Sequence, residues 1–114
     1  MDVPHPIPDP LAELVAQRFR VLGDPTRIRL LDALRDGEAT VGDLTDRLGA
    51  TQQNVSKHLG VLHQAGFVSR TKRGTFCHYD IADDGVFALC EQVCSGVREQ
   101  VRELDQILTT GGPA

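Results

Sequence analysis

A mainly α-helical domain interrupted by one β-hairpin is the fold class this sequence predicts, and three observations predict it. Between residues 10 and 66 apolar side chains recur every three or four positions in short runs, opened by Pro, Asp or Thr and closed by Gly. From Phe67 to Ile81 the period drops to two around Lys72-Arg73-Gly74. After Asp83 the helical period returns and continues to Leu108. The 114 residues suffice for one compact domain with short tails.

Each element has a local reason. Residues 1–9 carry Pro4, Pro6 and Pro8, which disfavour regular structure and predict a flexible arm. A helix is expected after Asp9, with Pro10 in its first turn and Leu11, Leu14, Val15 and Leu22 as its apolar positions. Asp24 and Pro25 open a second helix over 25–35, with Ile28, Leu31 and Leu34 at helical spacing and Gly37 after it. Thr40 caps a short third helix, and Asp43 three residues on completes a capping-box pattern. Val41, Leu44 and Leu48 form its stripe and Gly49 closes it. Thr51 caps a fourth helix that buries Val55, Leu59 and Leu62. Two strands, 67–71 and 75–81, then flank a basic tip at Lys72-Arg73-Gly74. A long last helix places Val86, Cys90, Val93, Cys94, Val97, Val101, Leu104 and Leu108 on one side, and residues 109–114 read as a flexible tail.

The order α-α-α-α-β-β-α, with two short helices joined at Leu48-Gly49-Ala50 and a basic hairpin after them, is a winged helix-turn-helix pattern over 10–108. The formal net charge of -4 argues against a nucleic-acid partner until the charges are placed. Residues 47–79 hold five basic and no acidic side chains, whereas the rest of the chain holds seven basic and sixteen acidic, a balance of -9. The basic stretch coincides with the helix that would read DNA. Thr51, Gln52, Gln53, Asn54, Ser56 and Lys57 are groove-sized hydrogen-bonders at its start, and His58 follows them. Arg70, Lys72 and Arg73 on the hairpin suit backbone phosphate. The partner expected is double-stranded DNA, bound by a dimer, because a last helix this long leaves an apolar stripe that so small a body cannot cover.

Other classes fall away. No stretch approaches the roughly 20 apolar residues that cross a bilayer. The first ten residues have no basic cluster and no apolar run, unlike a secretory signal, and three cysteines make an odd number. Reduced thiols and a cytoplasmic location are expected. With no Trp and 4% aromatic residues, single-strand stacking platforms are not expected. No nucleophile triad, paired-carboxylate constellation or glycine-rich phosphate loop stands out, so no enzyme and no required cofactor are expected.

Three motifs in order resemble the ArsR/SmtB-type bacterial repressors. They are Leu22-Gly23-Asp24-Pro25-Thr26-Arg27-Ile28-Arg29-Leu30-Leu31, then Asn54-Val55-Ser56-Lys57-His58-Leu59-Gly60-Val61-Leu62, then Ala65-Gly66-Phe67-Val68 leading to Arg73-Gly74 and Tyr79-Asp80-Ile81. The resemblance implies a homodimer joined through its first and last helices and seated on an operator, often released by an effector such as a metal ion. The chain departs from both well-known metal sites of that family. Thr40 and Gly42 stand where one site has its Cys-x-Cys pair, and Asp83, Gly85, Gly96 and Glu99 stand where the other has its Asp, His, His and acidic ligands.

The cysteines are the remaining candidate effector site. Cys90 and Cys94 are four apart and so lie one helical turn from each other, and Cys77 sits on the second hairpin strand. Soft thiolates favour As(III), Cd, Pb or Zn, and three sulfurs suit pyramidal As(III). The alternatives are a thiol-redox switch, cysteines that only pack, or a winged-helix interaction module that touches no DNA. His58 is expected to be structural or a phosphate contact, and His63 and His78 to be solvated.

Overall fold

A computed structural model describes residues 2–109 and divides the chain into two compact units, one ending at Asp83 and one beginning at Asp84. Residues 2–8 are exposed and lack regular structure. Helix α1 (Asp9–Leu22) begins at Asp9, with Pro8 extended at its N-cap and Pro10 in the first turn, where a missing N–H costs nothing. No residue of α1 is buried.

Helix α2 (Pro25–Ala33) is capped by Asp24, whose Oδ1 accepts from the N–H of Thr26 and Arg27 at 2.8 and 3.2 Å. It tightens into a 3₁₀ turn, Leu34–Asp36, ahead of Gly37. Leu30, Leu31 and Leu34 face the core, whereas Ile28, expected on that stripe, is 47% exposed. The inner stripe runs one step round the helix from the predicted one, through Leu30.

A short strand, β1 (Ala39–Thr40), was not anticipated, because two residues are too few to display a period of two. Helix α3 (Val41–Leu48) starts with the predicted capping box. Thr40 Oγ1 accepts from Asp43 N–H and Asp43 Oδ2 accepts from Thr40 N–H, both at 3.1 Å. Gly49 ends it at φ 66°, a left-handed conformation in which its N–H reaches Thr45 O. Helix α4 (Gln52–Gln64) follows after Ala50 and Thr51, with Thr51 Oγ1 accepting from Asn54 N–H at 3.2 Å.

Strands β2 (Val68–Arg73) and β3 (Phe76–Ile81) pair antiparallel from Val68↔Ile81 to Arg73↔Phe76, and β1 adds to the other edge of β3 through Ala39↔Tyr79 and Thr40↔His78. The ladder runs further than predicted. Lys72 and Arg73 therefore lie within β2, and the tip is the two-residue connection Gly74-Thr75, which Gly74 permits by taking φ 62°. The core of this unit joins Leu30, Leu31, Leu34 and Leu44 to Val55, Leu59 and Leu62, and closes over Phe67, Val68 and Tyr79. Helices α2, α3 and α4 thus each contribute at least one fully buried leucine, which fixes how α4 presents its opposite face.

The second unit is one helix, α5 (Gly85–Thr109), of 25 residues and so about 37 Å long. Thr109, assigned to the tail in sequence, is its last residue, and the remaining tail, 110–114, lies outside the described residues. Val93, Val97, Val101, Leu104 and Leu108 are each more than half exposed. Among the described residues no helix is long and apolar enough to cross a membrane.

Candidate nucleic-acid interface

The burial of α4 divides its residues cleanly. Val55, His58, Leu59 and Leu62 point into the core, and Thr51, Gln52, Gln53, Asn54, Ser56 and Lys57 are exposed. The first turn and a half of α4 is therefore a surface of amide, hydroxyl and ammonium groups on a rigid, buried base. Side chains of that kind form bidentate bonds to adenine edges or single bonds to phosphate. Arg70, Lys72 and Arg73 are exposed on β2.

His58 does not join that surface. It is 9% exposed, and its Nδ1 lies 3.0 Å from a terminal nitrogen of Arg27. A guanidinium only donates, so Nδ1 accepts and the ring proton sits on Nε2. Of the two sequence readings of His58, the buried position supports the structural one and corrects its inclusion among groove contacts, since an imidazole turned into the body does not reach a base edge.

Arg27 was missed in sequence, and it ties three elements together. Its Nε donates to Val21 O at 2.5 Å and its other terminal nitrogen to Arg20 O at 3.3 Å, at the end of α1. From α2 it also reaches His58 on α4. Asp24 stands 4.0 Å from His58 Nδ1. Partial burial pushes the Asp24 carboxyl up, but the backbone N–H groups of Arg27 and Thr26 and the Arg27 guanidinium outweigh it. The carboxyl is held below the ordinary carboxylate value. The only sequence signal for this network was the Gly23-Asp24-Pro25-Thr26 turn, which announces a cap but not its distant partners.

A second contact was also invisible in sequence. The segment 47–79 has no carboxylate of its own, yet β1 brings Glu38 to the outer side of the sheet, where it pairs with Arg73 and lies 3.8 Å from His78. His78 is accordingly half-buried rather than solvated, while His63 is exposed as expected. Arg73 is therefore already partnered, and Lys72 and Arg70 are the wing cations whose charge is not answered by Glu38.

Arg18 secures the far end of α4. It donates to Ala65 O at 2.8 Å, lies 3.4 Å from Asp83 and stacks 4.4 Å above the Phe67 ring. It also lines, with Leu14, Val21 and Val61, an open groove of about 520 Å³ beside α1. Leu14, Val15 and Phe19 on α1 are exposed.

Of the three cysteines none is in a disulfide. Cys77 and Cys90 are partly exposed and Cys94 is exposed. Cys90 and Cys94 lie one turn apart on α5. Among the described residues no group of three or more His, Cys, Asp or Glu is placed to hold a metal ion.

Comparison with known proteins agrees with this geometry. The family model of a helix-turn-helix domain matches residues 22–71. Rv0081 of Mycobacterium tuberculosis, described as an uncharacterized HTH-type transcriptional regulator, is 33% identical over 110 residues, covering 93% of this chain and 96% of that protein. Its crystal structure superposes with a TM-score of 0.68. CmtR, another transcriptional regulator of M. tuberculosis, is 45% identical over 69 residues, which is 60% of this chain but only 58% of CmtR. The crystal structure of AntR, an antimony-specific transcriptional repressor, is 32% identical with a TM-score of 0.72 over 83% of this chain and 86% of AntR. The homodimeric winged helix-turn-helix DNA-binding domain of Mb0332 from Mycobacterium bovis, a possible ArsR-family regulator, gives 29% identity and a TM-score of 0.69 over 78% of this chain and 82% of that one. The chain belongs to the ArsR-type winged helix-turn-helix transcriptional regulators, and with them it is a DNA-binding protein rather than an enzyme.

Proposed function

We propose that the chain is a cytoplasmic, homodimeric repressor that binds a palindromic operator and is released by a thiophilic metal or metalloid such as As(III). The observation that carries the DNA half is the exposed row from Thr51 to Lys57 on the side of α4 opposite Val55, Leu59 and Leu62. Thr51, Gln52, Gln53, Asn54, Ser56 and Lys57 read the major groove, and Arg70, Lys72 and Arg73 hold the backbone. Two copies joined through α1 and α5 place their α4 helices on half-sites about one helical turn, or a multiple of it, apart.

The effector half rests on Cys90 and Cys94. Two thiols one turn apart on α5 supply the soft donors that trivalent arsenic or antimony, and Cd or Pb, prefer. AntR is named for antimony, which has the same pyramidal thiolate chemistry.

One experiment tests both halves. A gel shift of the reduced protein on its own upstream region, against random duplex at stated salt, is followed by titration with As(III), Sb(III), Cd and Zn. Preferential binding to the upstream duplex and its loss on As(III) or Sb(III) addition are expected, with C90S/C94S retaining binding but resisting release. Equal binding to both duplexes overturns the operator reading. Release that survives the double substitution overturns the thiolate reading.

A further inference from the structure

Phe76 breaks the pattern of its strand. Directly opposed residues of an antiparallel pair share a face, so Ser69↔Asp80, Thr71↔His78 and Arg73↔Phe76 lie on one side of the hairpin. The alternate pairs, from Val68↔Ile81 to Lys72↔Cys77, lie on the other, and that side buries Val68 and Tyr79. The first side is therefore the outer one, and every residue on it is polar or charged except Phe76. The residue is 63% exposed. It stands in the last pair of the ladder, across from Arg73 and next to the Gly74-Thr75 connection.

A large apolar ring left in water at the end of a cationic finger matches a ligand that offers negative charge and apolar surface together. The minor groove of duplex DNA does so, with phosphates along both rims, sugar C–H groups for walls and stacked bases as its floor. Its shape fits as well. A two-stranded ribbon has strands about 4.8 Å apart, and the groove is about 6 Å wide, so the ribbon enters by its tip and not by its face. The residue at the tip is then the one that meets the floor.

We propose that Phe76 is a DNA-contact residue. Its ring packs on the sugar walls and base edges of the minor groove beside each half-site, while Lys72 and Arg73 hold the adjacent phosphates. The proposal rests on the DNA-binding reading given above. It adds a contact that is apolar, hence insensitive to salt, and responsive to local groove width and step flexibility.

The chain contains no Trp, so F76W places a single indole at the tip and makes the contact visible. Wild type, F76A, F76L and F76W are compared on the upstream duplex over a salt series. F76A is expected to bind about tenfold more weakly at every salt concentration with an unchanged salt slope, since an apolar contact releases no counterions. F76L retains most of the affinity, and F76W emission changes saturably as duplex is added. Because the ring is exposed, all four proteins should melt alike; should F76A melt lower, F76L and the F76W signal carry the test. Wild-type affinity for F76A, or an indole signal unmoved at saturating duplex, overturns the assignment of Phe76. Failure of the wild type itself to bind duplex overturns the DNA-binding reading and this contact with it. The two failures are thereby told apart.

Discussion

Glu38 and Arg73 show how a single side-chain contact alters what a charge pattern means. The pair is solvent-exposed, so it contributes at most about 1 kcal/mol to stability. On the proposal that Arg73 holds backbone phosphate, its effect on binding is larger in kind, because a carboxylate beside the wing repels phosphate. Replacing it with an isosteric amide, E38Q, should leave the melting temperature nearly unchanged and tighten binding to any duplex. The plot of log K against log salt should steepen by about one unit, the signature of one more phosphate contact. Kd measured over a salt series on operator and on random DNA checks this; an unchanged slope would show that Arg73 meets phosphate regardless of Glu38. Neither this pair nor the Arg27–His58 bond was legible in the sequence. Their partners are 35 and 31 residues apart, and no local pattern says where two distant side chains meet. The residues that were legible act locally. Asp24, Thr40 and Thr51 each bond N–H groups two or three positions ahead.

At the scale of elements, those caps decide where α2, α3 and α4 begin, and two carboxyls that take part in them titrate, Asp24 itself and Asp43, the capping-box partner of Thr40. Asp43 is held below the ordinary carboxylate value chiefly by the Thr40 N–H, with the Thr40 hydroxyl next, and Asp24 is lowered as described above. A carboxyl whose folded value lies below its unfolded value adds stability that is fully present above the unfolded value, near pH 4. That stability is lost as pH falls through the folded value. The thermal midpoint should therefore hold from neutrality to about pH 5 and fall steeply below about pH 4. In D24N and D43N the midpoint should start lower and fall less steeply over the same acid range, which scanning calorimetry between pH 2.5 and 7 would show. An equally steep fall in both variants would assign the acid transition to other carboxylates. The helices that these caps open were readable because apolar period, cap and closing glycine agree with one another. The outlier is β1, whose two residues became a strand only through pairing with β3, a tertiary event that local propensity does not encode.

For the whole molecule, α5 is the feature that a single chain does not explain. Val93, Val97, Val101, Leu104 and Leu108 recur at intervals of three and four along some 37 Å of helix, and each is more than half exposed. α1 likewise exposes Leu14, Val15 and Phe19. Surfaces of this kind are stable in water when a second copy covers them, because burying each aliphatic side chain contributes about 1.5–3 kcal/mol. Introducing glutamate at two points of the stripe, V97E/L104E, should abolish the dimer. The first unit should keep its fold, since its core is drawn from α2 to β3. Sedimentation should report twice the chain mass for the wild type and the chain mass for the variant. The consequence for DNA follows from charge. A dimer engages two copies of the basic stretch 47–79, net +5 each, whereas a monomer engages one. The salt slope should therefore fall to about half, and operator affinity by tenfold or more, while the preference for a single half-site sequence persists in α4. A variant that stays dimeric would place the seam on α1 alone. One that turns monomeric yet keeps the full slope would show that a single chain already makes every phosphate contact.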